Sequence, residues 1–484
     1  MTAPGVFWLT RDFRFADNAA LAAACIDGPL LAVFLLDPVT LAQGAASRWR
    51  LMQALRAFDA ALRRRTGGVG VTVLSGAPED VFPPLLQQTG ARRIHQSDWP
   101  VPQMQAQQQR LRGALAPLNG ALHLHGGHLL THPHRVMTQQ GTPFRVFTPF
   151  ARALRRLGPD RPGPDAPPRI TASTTGPAGI SLDSVNLSPD MHSGASVLEH
   201  YALPSGEDAA LARLEAFFTR AAPYSSARDR PDIDATSGMS EHLASGEISP
   251  RRLWAITALR AEAEPALAGA LHTFLSEVIW REFAWHLLLA FPQMPRAEWR
   301  GEWADFPWRG ANSGFTAWQQ ARTGIGLVDA GLREMRVTGR MHNRVRMVVA
   351  SWLTKHLLTD WRLGLAHFAD SLTDWDPAAN AMNWQWVAGC GPDASPYFRI
   401  FNPEKQAAQF DPDGTYRAKW LAGWNATTAP HAAAYYDTLP SSWQVPQPWV
   451  ADGDAQRLSA GRNAALAAYS AFKSNDASPR FEGL

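Results

Sequence analysis

Two rhythms run through this sequence, and a chain that carries both must build two kinds of layer. In the first third, the short apolar runs GVFWLT, PLLAVFLLD and VGVTVLSG, and RRIHQSD after them, alternate with Ala-, Leu- and Arg-rich stretches such as RWRLMQALRAFDAALRRR. Short apolar runs between segments of helical period are the pattern of a parallel sheet wrapped by helices. From about residue 205 the β-rich runs fade. Apolar residues then recur at helical spacing in EDAALARLEAFF, HTFLSEVIWREFAWHLLLAF and RVRMVVASWLTKHLL. Between the two lies LGPDRPGPDAPPRITASTTGPAGISLDSVNLSPDMHSGAS, whose Pro, Gly, Ser, Thr and Asp mark a long connector. The expectation is α/β plus all-α: a doubly wound, Rossmann-like parallel-sheet domain over 1–135, a connector over 136–204 and a helical domain over 205–484. No internal repeat is visible.

Charge narrows the partners. The net charge of +3 comes from 46 basic and 43 acidic residues, so any nucleic-acid site must be a local patch. Cys25 and Cys390 are the only cysteines, too few for a disulfide framework, a four-cysteine zinc site or an iron-sulfur cluster, and no metal site is expected. A reducing cytoplasm is the simplest compartment. The N-terminal MTAPGVFWLTRDFRF lacks a secretory pattern, and no apolar run approaches the roughly 20 residues of a membrane span.

Several stretches carry groups suited to chemistry. PYSSARDRPDIDATSGMSEHLASGEISPRRLW holds the small-residue loop Thr236 to Ser240 before two helix starts, where hydroxyls and free amides can hold phosphate oxygens or simply cap helices. Ser249 and Pro250 form a good N-cap pair. In SEVIWREF, Glu277 and Arg281 stand four apart with Trp280 between, the spacing of a surface ion pair beside a core tryptophan. RMHNRVRMVV sets Asn343 and Met347 on one face with Arg344 and Arg346 nearby, and LTDWDPAAN sets Asp374 and Asp376 in a turn before Asn380, where acids commonly cap. The 19 tryptophans are mostly packing; spacing alone does not separate core indoles from ones that stack on a base or give up an electron.

Together the segments WLTRDFRFADNAAL, FRVFTPF, SEVIWREF, TGIGLVDAGLREMRVTGRMHNRVRMVVASWLTKHLL and WQWVAGCGPDASPYFRIFNP resemble the photolyase and cryptochrome family almost end to end. The likeness is strongest to class I type cyclobutane pyrimidine dimer photolyases. It implies an N-terminal α/β domain and a C-terminal helical domain holding FAD, active when fully reduced. By position it implies that Tyr224, Thr236, Ser237, Met239 and Ser240 form the FAD-phosphate loop. Arg281, Arg346, Asp374 and Asp376 would line the flavin, and Asn380 would face its N5. Glu277, Trp280, Asn343, Arg344, Met347 and Trp386 fall on dimer-contacting positions, with Trp280 and Trp386 as flat walls for a flipped pair and Glu277 as a polar contact. Photolyases are a known example of enzymes that extrude their target from the base stack, and the resemblance implies the same here. Trp384, Trp361 and Trp308 match a chain of tryptophans that carries electrons to photoexcited FAD. The implied reaction is light-driven splitting of the dimer by electron transfer, with UV-damaged DNA as partner, a monomeric protein and no membrane.

The sequence also departs from the family pattern. Arg340 stands where tryptophan is usual, TSGMS replaces TSRLS, and Trp375 is bulkier than the residue often found there. The Asn-Glu pair of folate-binding relatives is absent near DWPVPQMQAQQQ, which leaves a second, antenna chromophore unidentified. Two rivals share the fold: a cryptochrome-like photoreceptor that signals, and a (6-4) photolyase. Asn380 and the dimer-type MHN pattern favour dimer repair.

Overall fold

The computed structural model describes residues 2–191, 194–393, 397, 399–451 and 455–476, so a few residues of the PDASPYF turn and of the connector lie outside it. The anticipated runs form β1 (Gly5–Leu9), β2 (Leu30–Leu36), β3 (Thr72–Ser75) and β4 (Arg93–Ser97). With β5 (Ala121–His125) they make one parallel sheet of order β3-β2-β1-β4-β5, doubly wound about β1. Every residue of β1 is buried. Val6 and Trp8 face one core with Phe82, Ile94 and Leu111, while Phe7 and Leu9 face another with Leu21, Phe34 and Phe58. Both faces of a parallel strand must be covered, which is why it reads as an unbroken apolar run.

The sequence pattern does not announce β5. Its ALHLH puts His123 and His125 where apolar residues would mark a strand, and as an edge strand it can leave His123 exposed. The Pro- and Gly-rich connector is also less free than its composition suggests. Leu30 N–H donates to Thr171 O at 2.8 Å, Ala166 N–H to Phe15 O at 2.8 Å and Ile180 N–H to Val73 O at 2.8 Å. Ile170, Val185 and Leu187 then enter the core on the Phe7 face.

Helices occupy the segments of helical period: Ala45–Thr66, Glu207–Phe218, Ala268–Ala290 and Asn343–Ser351, the last continued by a π-helical turn, Trp352–His356. The sheet meets these helices through RDFRFADN, which follows β1. Arg14 is 1% exposed and donates to Gly246 O at 2.9 Å, Gly127 O at 3.2 Å and Asp17 O at 3.1 Å. The Asp17 carboxylate accepts from Arg251 Nη2 at 2.7 Å. Glu207 accepts from the backbone of Phe15 at 2.8 Å and Ala16 at 3.0 Å. From the helical side, Glu282 accepts from the backbone of Leu130 at 2.9 Å and Thr131 at 3.2 Å. One apolar cluster crosses the same boundary, from Trp8 to Phe283. No helix among the described residues is long and apolar enough to cross a membrane.

Candidate functional site

Glu277, Trp280 and Arg281 project from the middle of Ala268–Ala290. The ion pair that their spacing suggests is not formed. Arg281 turns toward the sheet domain, donating to His128 O at 3.0 Å and meeting His128 Nε2 at 3.0 Å, with its Nε 3.5 Å from Asp376. Burial first, then the charge of Arg281, holds the His128 imidazole well below its ordinary pKa, so the ring is neutral and Nε2 accepts. Glu277 pairs instead with Arg228, 49 residues away in sequence. Trp280 is half-buried. One face of its ring lies flat against Phe147, centroids 3.5 Å apart and planes at 2°, and Phe147 belongs to the helix Phe147–Leu157.

Asp229, next to Arg228, reaches a different helix. Arg344 Nη2 donates to Asp229 Oδ2 at 2.7 Å, and the guanidinium carbon stands 4.5 Å from the centre of the Phe410 ring. Arg344 opens the helix Asn343–Ser351 beside exposed Asn343, and Met347 follows one turn on. The adjacent pair Arg228-Asp229 thus ties the dimer-type positions of two helices to a single turn. Trp386 is half-buried with Arg399 over its ring at 5.3 Å.

The residues assigned to the flavin form a second group. Arg346 Nη2 donates to both oxygens of Asp374 at 3.0 and 2.8 Å and its Nε to Met341 O at 2.7 Å. Asp374 is therefore an ion-pair partner and not a helix cap. Asp376 is the N-cap of Pro377–Ala388, accepting from Ala378 and Ala379 amides, and its other oxygen accepts from Trp285 Nε1 at 2.8 Å. Asn380 and Trp384 follow on that helix four residues apart, and Asn380 Nδ2 donates to Leu365 O at 3.1 Å. Tyr224 is buried at the start of the short helix Tyr224–Ala227, where Arg228 sits above its ring at 5.7 Å. In the hydroxyl loop, buried Met239 precedes the uncapped start of Ser240–Ser245, and exposed Ser240 begins it.

The sequence departures have structural answers. Gly238 has φ +67°, and a Cβ there would stand 2.5 Å from the Arg213 guanidinium. Arg213 and Arg220 donate to Ser237 O at 2.8 Å and Thr236 O at 2.9 Å, so helix Glu207–Phe218 and the turn after it return basic groups to a loop whose own basic residue is missing. Arg340 donates to Tyr201 O at 3.1 Å and lies 3.9 Å from Glu241, tying the helix start to the end of the connector.

Trp384 and Trp361 are fully buried and Trp308 half-buried, and all three indole N–H groups are buried without a partner. The Trp384 ring packs against Gly364, where a Cβ would come within 2.1 Å, one turn after Trp361 on Trp361–Ser371. Its ring neighbours are Phe368 at 4.9 Å and Trp318 at 6.3 Å, and those of Trp308 are Phe306 at 4.4 Å and Trp303 at 6.5 Å. The three tryptophans do not stack directly on one another.

This donor set suits a flavin dinucleotide: an uncapped helix start with hydroxyls and guanidinium groups for a diphosphate, an arginine-aspartate pair, and the orphaned Trp384 N–H. Sequence reasoning missed Arg228, Asp229, Phe147, Phe410, His128 and Arg213. Arg228 and Asp229 stand in PYSSARDRPDID as a charged pair just after Tyr224, and that adjacency is the one available signal.

Residues 5–168 match the family model described as DNA photolyase, and residues 274–461 match the FAD binding domain of DNA photolyase. A deoxyribodipyrimidine photo-lyase of Agrobacterium fabrum is 39% identical over 424 residues, 87% of each chain. A bacterial class III photolyase structure from Agrobacterium tumefaciens aligns with TM-score 0.85 and 36% identity over 98% of both chains. An archaeal photolyase structure from Sulfolobus tokodaii, with two FAD molecules and a novel light-harvesting cofactor implied, aligns with TM-score 0.74 and 26% identity over 96% of this chain and 99% of that one.

Proposed function

We propose that this chain, which belongs to the photolyase and cryptochrome family, repairs UV-damaged DNA by splitting cyclobutane pyrimidine dimers in a light-dependent reaction. The observation that carries the reading is the single turn, Arg228-Asp229, that holds Glu277 on one helix and Arg344 on another, with half-buried Trp280 one turn from Glu277 and stacked on Phe147. When bound, FAD supplies light-driven one-electron chemistry, and the protein supplies binding, orientation and electrostatics.

Each side chain then has a defined task. Phe147 fixes the Trp280 plane, so that the open face can take a flipped pyrimidine by stacking. Arg228 holds the Glu277 carboxylate in one direction, presenting its free oxygen to a pyrimidine edge. Arg344 is left to meet a phosphate. Asp374 keeps the Arg346 guanidinium fixed and aimed at the side where a reduced, anionic ring would need positive charge. Asn380, tethered through Nδ2, offers its carbonyl oxygen to the same ring. Thr236, Ser237, Met239 and Ser240, backed by Arg213, hold the diphosphate.

Trp384, Trp361 and Trp308 relay electrons from the surface to the flavin, and Phe in place of Trp384 should slow photoreduction of the oxidised form sharply while leaving repair by chemically reduced protein. Unchanged photoreduction kinetics would remove Trp384 from the relay. A second chromophore fits the cavity of about 460 Å³ lined by Asp98, Gln105, His128, His132 and His286, which lies between sheet and helices. His286, which lines that space, accepts from Phe144 N–H through Nε2 at 3.0 Å, and its Nδ1 is buried without a partner. A second absorbing compound released with FAD on denaturation is the expected result, and FAD alone would leave the cavity unassigned.

The test of the main reading is illumination of the reduced protein with an oligonucleotide carrying one thymine dimer. The dimer should revert under blue light and persist in the dark. Reversal of a (6-4) product instead would make the chain a (6-4) enzyme, and reversal of neither would favour a photoreceptor.

A further inference from the structure

We propose that Asp229 is a placeholder anion for the pocket: its carboxylate occupies Arg344 until a phosphate of lesion-bearing DNA displaces it. The inference rests on the dimer-repair reading of the pocket. Arg344 has one carboxylate partner, Asp229 Oδ2 at 2.7 Å, and its Nε is a buried donor with no partner at all. The Arg344 side chain is 19% exposed and that of Asp229 is 36% exposed, so water reaches the pair. A pair this open favours the joined form by only about two- to fivefold, weak enough for an incoming anion to replace it. Phosphate is the better partner, since a guanidinium can meet it with two parallel donors where Asp229 takes one. Phe410, 4.5 Å beneath the guanidinium, keeps its plane fixed while the anion is exchanged.

The rest of the turn explains why exchange should depend on the lesion. Arg228 is committed to Glu277 and Arg230 to Asp232, so Asp229 is the acid of this turn that faces a second helix. A flipped pair brings its own phosphates into the pocket mouth; in an intact strand they stand farther out and meet the Asp229 carboxylate as a like charge within a Debye length of about 10 Å. Undamaged DNA is then held without Arg344, and damaged DNA with it. Asp229 acts through Arg344 and is a positioning residue.

The experiment compares wild type, Asp229→Asn, Arg344→Gln and the double variant, with FAD content measured on each, for binding to damaged and undamaged DNA of one sequence across a salt series. In the wild type the slope of log affinity against log salt should be steeper for damaged DNA by about 0.9, the increment of one phosphate contact. In Asp229→Asn the undamaged slope should steepen by about 0.9 to meet it, with affinity for either DNA up by no more than about fivefold. In the Arg344→Gln background, Asp229→Asn should leave both salt slopes unchanged, any gain in affinity from lost repulsion being equal on the two DNAs. Equal wild-type and Asp229→Asn slopes on undamaged DNA, or an Asp229→Asn change in slope that survives without Arg344, would overturn the proposal. Failure of the underlying reading looks different: the wild type would show no preference for damaged DNA and no repair under light.

Discussion

Two of the charge clusters in this molecule are built on opposite terms. At the junction of sheet and helices, Arg14 and Asp17 are 1% and 0% exposed, and each is held from several directions. In the candidate pocket, Glu277 and Arg344 each hold one ion-pair partner and remain open to water. Buried, multiply bonded charges cannot exchange partners without leaving an uncompensated ion, so the junction fixes the two parts against each other. Singly paired, half-exposed charges exchange cheaply, and that is the condition for a binding surface. The same residue types thus serve as mortar in one region and as a reading head in the other.

The largest expected effect separates the two directly. Arg14→Ala leaves the carbonyl groups of Asp17, Gly127 and Gly246 without their donor and takes a charge away from the buried Asp12 and Asp17 carboxylates. It should cost about 3 to 5 kcal/mol of stability in a urea unfolding series. Arg344→Gln in the same series should stay within about 1 kcal/mol. Equal losses would erase the distinction between the regions.

The next effect is a pH dependence that belongs to the junction. Burial, opposed by the Leu130 amide and the charge of Arg281, pushes the Glu282 carboxyl up from 4.5 to about 7. A carboxyl whose folded pKa is raised is more favourable to folding when protonated. Its contribution is therefore fully present below about pH 4.5 and is lost as pH rises through 7, a change of about 3 kcal/mol at most. Glu282→Gln should remove this component, so that the stability of wild type relative to the variant falls between pH 5 and 8. A difference independent of pH would mean that Glu282 is charged throughout.

These contrasts also mark what could be read from sequence. The strands β1 to β4 and the long helices follow from apolar period, because burial of a face leaves that period in the chain. β5 escaped because an edge strand need bury little, and its histidines break the pattern. The strapping of the connector escaped because its bonds are made by backbone groups, which any polar residue carries. In the pocket, resemblance supplied the residue positions, but the i, i+4 rule paired Glu277 with Arg281 when the chain pairs it with Arg228. Partners that come together only in the folded chain leave no spacing to detect. Arg213 behind Gly238 is another such case, a lost basic residue recovered from a different helix.

The smallest of these effects bears most directly on the claim that the half-open pocket is where damage is read. Trp280→Ala removes the ring that stacks on Phe147 and leaves the ion pairs of the junction untouched, and it should lower affinity for thymine-dimer DNA by about 1 to 3 kcal/mol. Undamaged DNA of the same sequence, held through its phosphates, should lose far less at the same ionic strength, with FAD content verified in both proteins. Equal losses on the two DNAs would make Trp280 a packing residue of the Phe147 helix and contradict the account.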